Sequence, residues 1–384
     1  MMEGLQLSIP QRMIMMRSLV IISLALSVLL SLPLWAGERY FPYSPLIDEG
    51  LTLLPPYDYI PVCILLAFLI LSLVSVFKRS LLFCAVLVLA YMVLCDINRV
   101  QLWVSVYTGM LLVFVWYDGR VDDSSKFTSH FIVLQVIVAS VYFFGGLHRF
   151  NSSFINDVLP QIIKPVQDLV SFRQFNLMLK IGQAIPYAMV FIGLGLIISP
   201  IRYLALALAV CLHLALLVFL FPSAQRQDYA LWFSNLVFLF FLLLLFSGKT
   251  KQRYYSPTFL FQLPVFYIVV LCFVVLPFVN VVGGAWPDCL SFNYLTGAEK
   301  RVEIATGPTT LKHLGYYEPN FFKKRNDAFV LNYEQWSEHE LHAHCVSEWP
   351  VFTAVYAHIL SQSEEAVTET VLQEQTAPGI FVKR

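Results

Sequence analysis

Apolar runs of about twenty residues recur along this chain, and no other feature restricts its fold as severely. A helix needs roughly 20 consecutive apolar residues to cross a bilayer. Nine segments meet or approach that length: 16–36, 59–77, 80–95, 101–116, 131–148, 183–200, 203–222, 229–247 and 259–282. Only Asp96, Asn98 and Arg99 interrupt the third and fourth, so a sharp hairpin is expected there. Charged residues make up 13% of the chain against 58% hydrophobic. A soluble domain carries roughly 25% charged residues, so a fully water-exposed surface is excluded. The expected class is an all-α polytopic membrane domain of about nine transmembrane helices. The formal net charge is zero, and nothing points to nucleic acid as a partner.

The first apolar run follows Arg12 and Arg17 and resembles a signal peptide. Its length, and the lack of a small-x-small cleavage pattern after it, favour a retained anchor. With residues 1–15 placed in the cytoplasm, Lys and Arg divide ten to seven in favour of the cytoplasmic side. The loop GKTKQRYY at 248–255 weighs most in that count. Nine crossings then put the C-terminus outside, as expected for a bacterial inner-membrane protein. Residues 16–283 form the membrane domain in this reading. Its segment 150–182 mixes apolar and polar residues with Pro160 and Pro165, and reads as an interfacial stretch with a short amphipathic helix. The loop 37–58, rich in aromatics and proline, reads as an ordered cap.

The composition changes near residue 284. The tail 284–384 is acid-rich; EKRVEIATG alternates like a strand, and WSEHELHAH and VFTAVYAHILSQ read as helices. A small extracytoplasmic α+β C-terminal domain is expected, with membrane lipids around the spans and a protein partner reached through 284–384. Cys289 and Cys345 fall in this tail, and a disulfide or two free thiols are both open. His339, Glu340, His342, His344 and Cys345 lack the HExxH spacing, so no metal site is expected.

Charged and polar groups at membrane depth are expensive and mark sites by default. Asp96 and Arg99 either pair across the hairpin or line a cavity. His213 has apolar neighbours for some ten residues on both sides. It is either a packed, hydrogen-bonded group or a cavity histidine able to move a proton. Trp232 and Asn235 lie at i and i+3 and are expected to share a face. YFFGGLHRFN at 142–151 ends an apolar run on His148 and Arg149.

Several stretches occur in one order: LWAGERYFPYSPL at 34–46, DINRVQLWV at 96–104 with Trp103, GGLHRFN at 145–151, LHLALLVFLFP at 212–222 with WFSN, and LPFVNVVGGAWPDCLSFNYLTG at 276–297. In that order they resemble the superfamily of the horizontally transferred transmembrane (HTTM) domain and the vitamin K-dependent gamma-carboxylase, with DoxX-like proteins more distant. The resemblance implies a cytoplasmic N-terminus and an outward-facing tail. In the carboxylase the motif corresponding to GGLHRFN carries two lysines, the second taken as the base. Arg149 stands at that position and stays protonated, which argues against glutamate carboxylation.

Two functions are expected from these features. The first is a membrane enzyme or redox protein binding a quinone or other lipophilic molecule. Its catalytic residues would be His148, Arg149 and His213, and its binding residues Asp96, Arg99, Trp103, Trp232 and Asn235. The second is a non-enzymatic assembly, maturation or anchoring factor acting through the tail.

Overall fold

The computed structural model describes residues 7–47, 53–117, 124–222, 227–248, 260–314, 318–325, 328–361, 370–377 and 380–383. Ser8 starts the first helix, α1 (Ile9–Leu30). Its hydroxyl accepts from Gln11 N, and Gln11 reaches back to Ser8 N, a capping box. One stripe of α1, including Met16, Val20, Leu24 and Val28, is fully buried against neighbouring helices. A short helix α2 (Leu32–Trp35) follows. The next pair, α3 (Tyr59–Val74) and α4 (Lys78–Cys95), packs side by side. Asp96 ends α4 in an extended conformation, accepts from Asn98 N, and turns the chain into α5 (Leu102–Trp116).

Further along the chain come α6 (Ser124–His148), α7 (Leu159–Ile163), α8 (Phe172–Gly182), α9 (Ile185–Ile197), α10 (Arg202–Phe219), α11 (Tyr229–Phe246) and α12 (Pro264–Gly283). The α6–α9 seam depends on glycine. A Cβ on Gly146 would fall 2.8 Å from Val190 N, and one on Gly193 would fall 2.7 Å from Phe143 N. Small residues let two helix backbones approach this closely. Within α12 a π-helical turn, Leu271–Val275, carries Phe273 over Gly109 of α5.

Each of the nine apolar segments contains a helix, though several helices stop short of the segment's ends. Among the described residues six helices are long and apolar enough to cross a membrane, or seven if α8 and α9, bent by 46°, form one broken span. Helices α3 and α5 are apolar but shorter, at 16 and 15 residues. Helix α8 exposes Phe172, Leu177 and Ile181, the apolar face expected of an interfacial helix. The basic loop at 249–259 lies outside the described residues.

The tail forms a five-stranded antiparallel sheet in the order β2-β3-β1-β4-β5. Its elements are β1 (Val302–Thr306), α13 (Pro308–His313), β2 (Phe322–Arg325), β3 (Ala328–Leu331), α14 (Tyr333–Leu341), α15 (Trp349–Leu360), β4 (Val371–Ala377) and β5 (Ile380–Lys383). β1 buries Val302, Ile304 and Thr306, the alternation expected of EKRVEIATG. Helix α14 ends before HAH, because His342 turns into the left-handed region at φ 52°.

The tail docks on one end of the helical bundle. Glu340 accepts from the backbone N–H groups of Tyr40 and Phe41, and its neighbour Trp336 packs edge-on against Phe41. Gln101 donates to His344 O at 3.0 Å, and His344 N donates to Asp228 at 3.3 Å. The loops after α1, α4, α6 and α10 therefore gather at the same end as the tail, joined by the Arg39–Asp96 pair and the Arg149–Tyr294 contact.

Candidate functional site

Where α6, α10 and α11 diverge, the bundle encloses a partly open cavity of about 420 Å³. Helices α7 and α8 and the segment Phe292–Leu295 complete its wall. That volume lies within the ordinary range for small-molecule sites, roughly 300–1,000 Å³. Its lining is overwhelmingly apolar, with a few polar groups collected in two places.

The deeper group centres on His213. Asn235 donates its amide N–H to Leu231 O at 2.9 Å, which turns its Oδ1 toward His213 Nδ1 at 3.0 Å. In the orientation this network assigns, Nδ1 carries the hydrogen. Nε2 is then the acceptor, and the Tyr142 hydroxyl donates to it at 2.5 Å. Tyr142, His213 and Asn235 are all buried, and all three line the cavity. A phenol hydrogen-bonded to an imidazole whose tautomer is fixed by a third group can give up and recover a proton at the phenol oxygen. Phe238 stacks on the His213 ring and holds its plane.

The second group is Arg149. Tyr142, Gly145 and Arg149 recur at i, i+3 and i+7 along α6 and just past its end, so they share a face. Arg149 folds back, donating from Nη1 to Gly145 O at 2.6 Å and from Nη2 to Tyr294 O at 2.9 Å. Burial lowers its pKa to about 10, with Glu299 opposing the shift, yet it remains a cation at neutral pH.

Next to the cavity, Asp228 caps α11 by accepting from Leu231 N at 2.8 Å. Its other oxygen accepts from the Tyr294 hydroxyl and from His344 N, both at 3.3 Å. Burial raises the Asp228 carboxyl to about 6.

Of the residues singled out in the sequence, Arg149, His213, Trp103 and Asn235 line this one cavity. Among the described residues the buried Trp103 N–H has no hydrogen-bond partner. Four others lie elsewhere. His148 is buried at the end of α6 outside the lining, with no partner for Nε2 among the described residues. Trp232 donates to Leu217 O at 2.9 Å and lines a separate surface groove, so it does not share a cavity with Asn235. Asp96 and Arg99 do not bond to each other through their side chains and do not line the cavity. Asp96 pairs with Arg39 at 2.5 Å, and Arg99 donates to the carbonyls of Leu34, Met92 and Trp35. Tyr142, Asp228 and Tyr294 had not been singled out. The i, i+3, i+7 spacing of Tyr142, Gly145 and Arg149 is the one signal that could have found the first.

Cys289 and Cys345 are free thiols in this structure and border the same small cleft. Among the described residues no three His, Cys, Asp or Glu side chains are grouped to hold a metal ion. Comparison with protein-family models, curated proteins and solved structures gives no match.

Proposed function

We propose that this multi-pass membrane protein binds a lipophilic, quinone-like molecule in the α6–α10–α11 cavity and exchanges a proton with it through Tyr142 and His213. The observation that carries this reading is the buried Tyr142–His213–Asn235 chain opening onto an apolar cavity between apolar helices. Polar networks at such depth are costly and are kept where they work. Tyr142 would touch the reacting oxygen, His213 would hold or return the phenol proton, and Asn235 would fix the ring. A membrane redox or group-transfer reaction fits these roles.

Nine crossings with the N-terminus cytoplasmic and the tail outside form part of the proposal. Its support is that the loops after α1, α4, α6 and α10 share one end with the tail. The likeness to HTTM and gamma-carboxylase proteins belongs here too. Arg149 in the place of the carboxylase lysine separates this chain from the carboxylation reaction.

The test is extraction and mass spectrometry of lipids retained by protein purified in mild detergent. Wild type should carry one lipophilic species near one per protein. Leu216→Trp, which fills the cavity wall, should lose it, and Tyr142→Phe should keep it while losing turnover. Recovery of the same bulk phospholipids from wild type and Leu216→Trp overturns the reading. If Tyr142→Phe and His213→Ala also leave the phenotype intact, and crosslinks through the tail capture one dominant protein, an assembly factor replaces the enzyme.

A further inference from the structure

One end of the cavity holds a charge with no direct counter-ion among the described residues. Arg149 is a part-buried guanidinium whose two hydrogen bonds both go to neutral carbonyls, Gly145 O and Tyr294 O. Among the described residues no carboxylate lies within ion-pair distance of it. Glu299, which acts on it from further away, is already taken up by the N–H groups of Thr296 at 2.6 Å and Gly297 at 2.8 Å.

The other inward arginines differ. Arg39 has Asp96 as its counter-ion, and Arg99 is closed in by three carbonyls and borders no cavity. Among the described residues Arg149 has only the distant Glu299 charge and the Phe154 ring, 5.6 Å away, beside its two carbonyls, so an anion entering the cavity would be its one direct counter-ion. An uncompensated charge away from water is strongly unfavourable. The planar guanidinium fork matches a carboxylate or phosphate, two oxygens at a time.

The rest of the cavity describes what is attached to that anion. Arg149 lies seven residues beyond Tyr142, about 10 Å along a helix axis at 1.5 Å per residue. The wall between them is built from groups such as Leu159, Ile163, Met189 and Phe292. The cavity is bordered by Ile181 of α8, 65% exposed, and by the exposed Cys211 of α10. Both belong to apolar faces turned outward from the bundle, so the opening is lateral, toward lipid. The missing side chain at Gly145 leaves room for the guanidinium, since a Cβ there would sit 3.2 Å from Arg149 Nη1.

We infer that the occupant is an anionic single-chain amphiphile, its oxyanion head held by Arg149 and its chain running past the apolar wall to Tyr142. This rests on the lipophilic-cavity reading but replaces its quinone-like occupant with an anionic one. A neutral quinone would leave the guanidinium unpaired.

The experiment uses full-length protein in nanodiscs of zwitterionic lipid. Thermal stability and competition with labelled oleate are measured for oleate, oleoyl lysophosphatidate, monoolein and a neutral prenyl quinone. Oleate or lysophosphatidate should bind about tenfold or more tightly than monoolein. The stronger of the two identifies the head as carboxylate or phosphate. Arg149→Gln should lose that preference while raising the melting temperature of the lipid-free protein, because it removes an uncompensated charge. Arg149→Lys should retain part of it, and serves as the second variant if the glutamine form does not fold. Equal binding of the neutral quinone, unaffected by Arg149→Gln, overturns the anionic class and leaves the cavity function standing. Failure of every lipid to bind, with Leu216→Trp indistinguishable from wild type, overturns both.

Discussion

Asp96→Asn isolates a buried ion pair at the end of the bundle that meets the tail. The Asp96 and Arg39 side chains are 0% and 1% exposed, and they meet at 2.5 Å. The second Asp96 oxygen accepts from Ser44 N and Asn98 N at 3.2 Å and from Asn98 Nδ2 at 2.9 Å. An asparagine can keep that second set through its carbonyl oxygen. Its NH₂ then faces the guanidinium, donor against donor, and Arg39 is stranded. Arg39 has weak alternatives only: carbonyl contacts at 3.4 Å to Leu34 and Pro42, and the Tyr43 ring 3.7 Å away. Removing one partner of a buried pair costs about 3–5 kcal/mol, and the full range applies because neither side chain reaches solvent. Reversible unfolding in mixed SDS micelles, followed by tryptophan fluorescence, measures the loss. Adding Arg39→Met removes the stranded charge, so the double variant should be more stable than the sum of the single effects by about 2 kcal/mol or more. A cost below about 1 kcal/mol for Asp96→Asn, or strict additivity, refutes the ion-pair account.

Tyr142→Phe keeps the ring but leaves His213 Nε2 without its 2.5 Å partner; a loss of about 1–3 kcal/mol is expected in the same unfolding assay. Burial opposes a charge on His344, but the Glu338 hydrogen bond and charge outweigh it and raise the group to about 9. The folded pKa lies above the unfolded value, so this stabilisation is complete below about pH 6.5 and disappears as pH rises through 9. It amounts to something on the order of 3 kcal/mol, and Glu338→Gln should flatten stability measured across that window. Gly193→Ala drives a methyl against the Phe143 backbone and should cost about 1–3 kcal/mol. Gly283→Ala, with nothing within 4 Å, should be neutral or stabilising in the same thermal scan.

The apolar helices could be read from the sequence because bilayer thickness imposes a length that survives without tertiary information. The β1 strand could be read for a similar reason, since alternation is local. The cavity was half legible. His213 and Arg149 stand out because charge is conspicuous in an apolar run, whereas Tyr142 blends into VYFF and acquires its role only when α10 brings His213 to it. Asp96 and Arg99 looked like a pair at i, i+3, but the Asp96 partner is 57 residues away, and local spacing carries no trace of it. Trp232 and Asn235 show the limit of the i, i+3 rule. Neighbouring positions on a helix still diverge by about 60° at 3.6 residues per turn, enough for Trp232 to reach a different groove.

Tyr294 ties the C-terminal domain and the cavity together. Its carbonyl holds Arg149, its hydroxyl reaches Asp228, and its ring lies edge-on to His344 of the tail. Asp228 in turn caps the helix that carries Asn235. The tail is therefore hydrogen-bonded to groups at both polar ends of the cavity. Conversely, whatever fills the cavity alters the footing on which the tail stands.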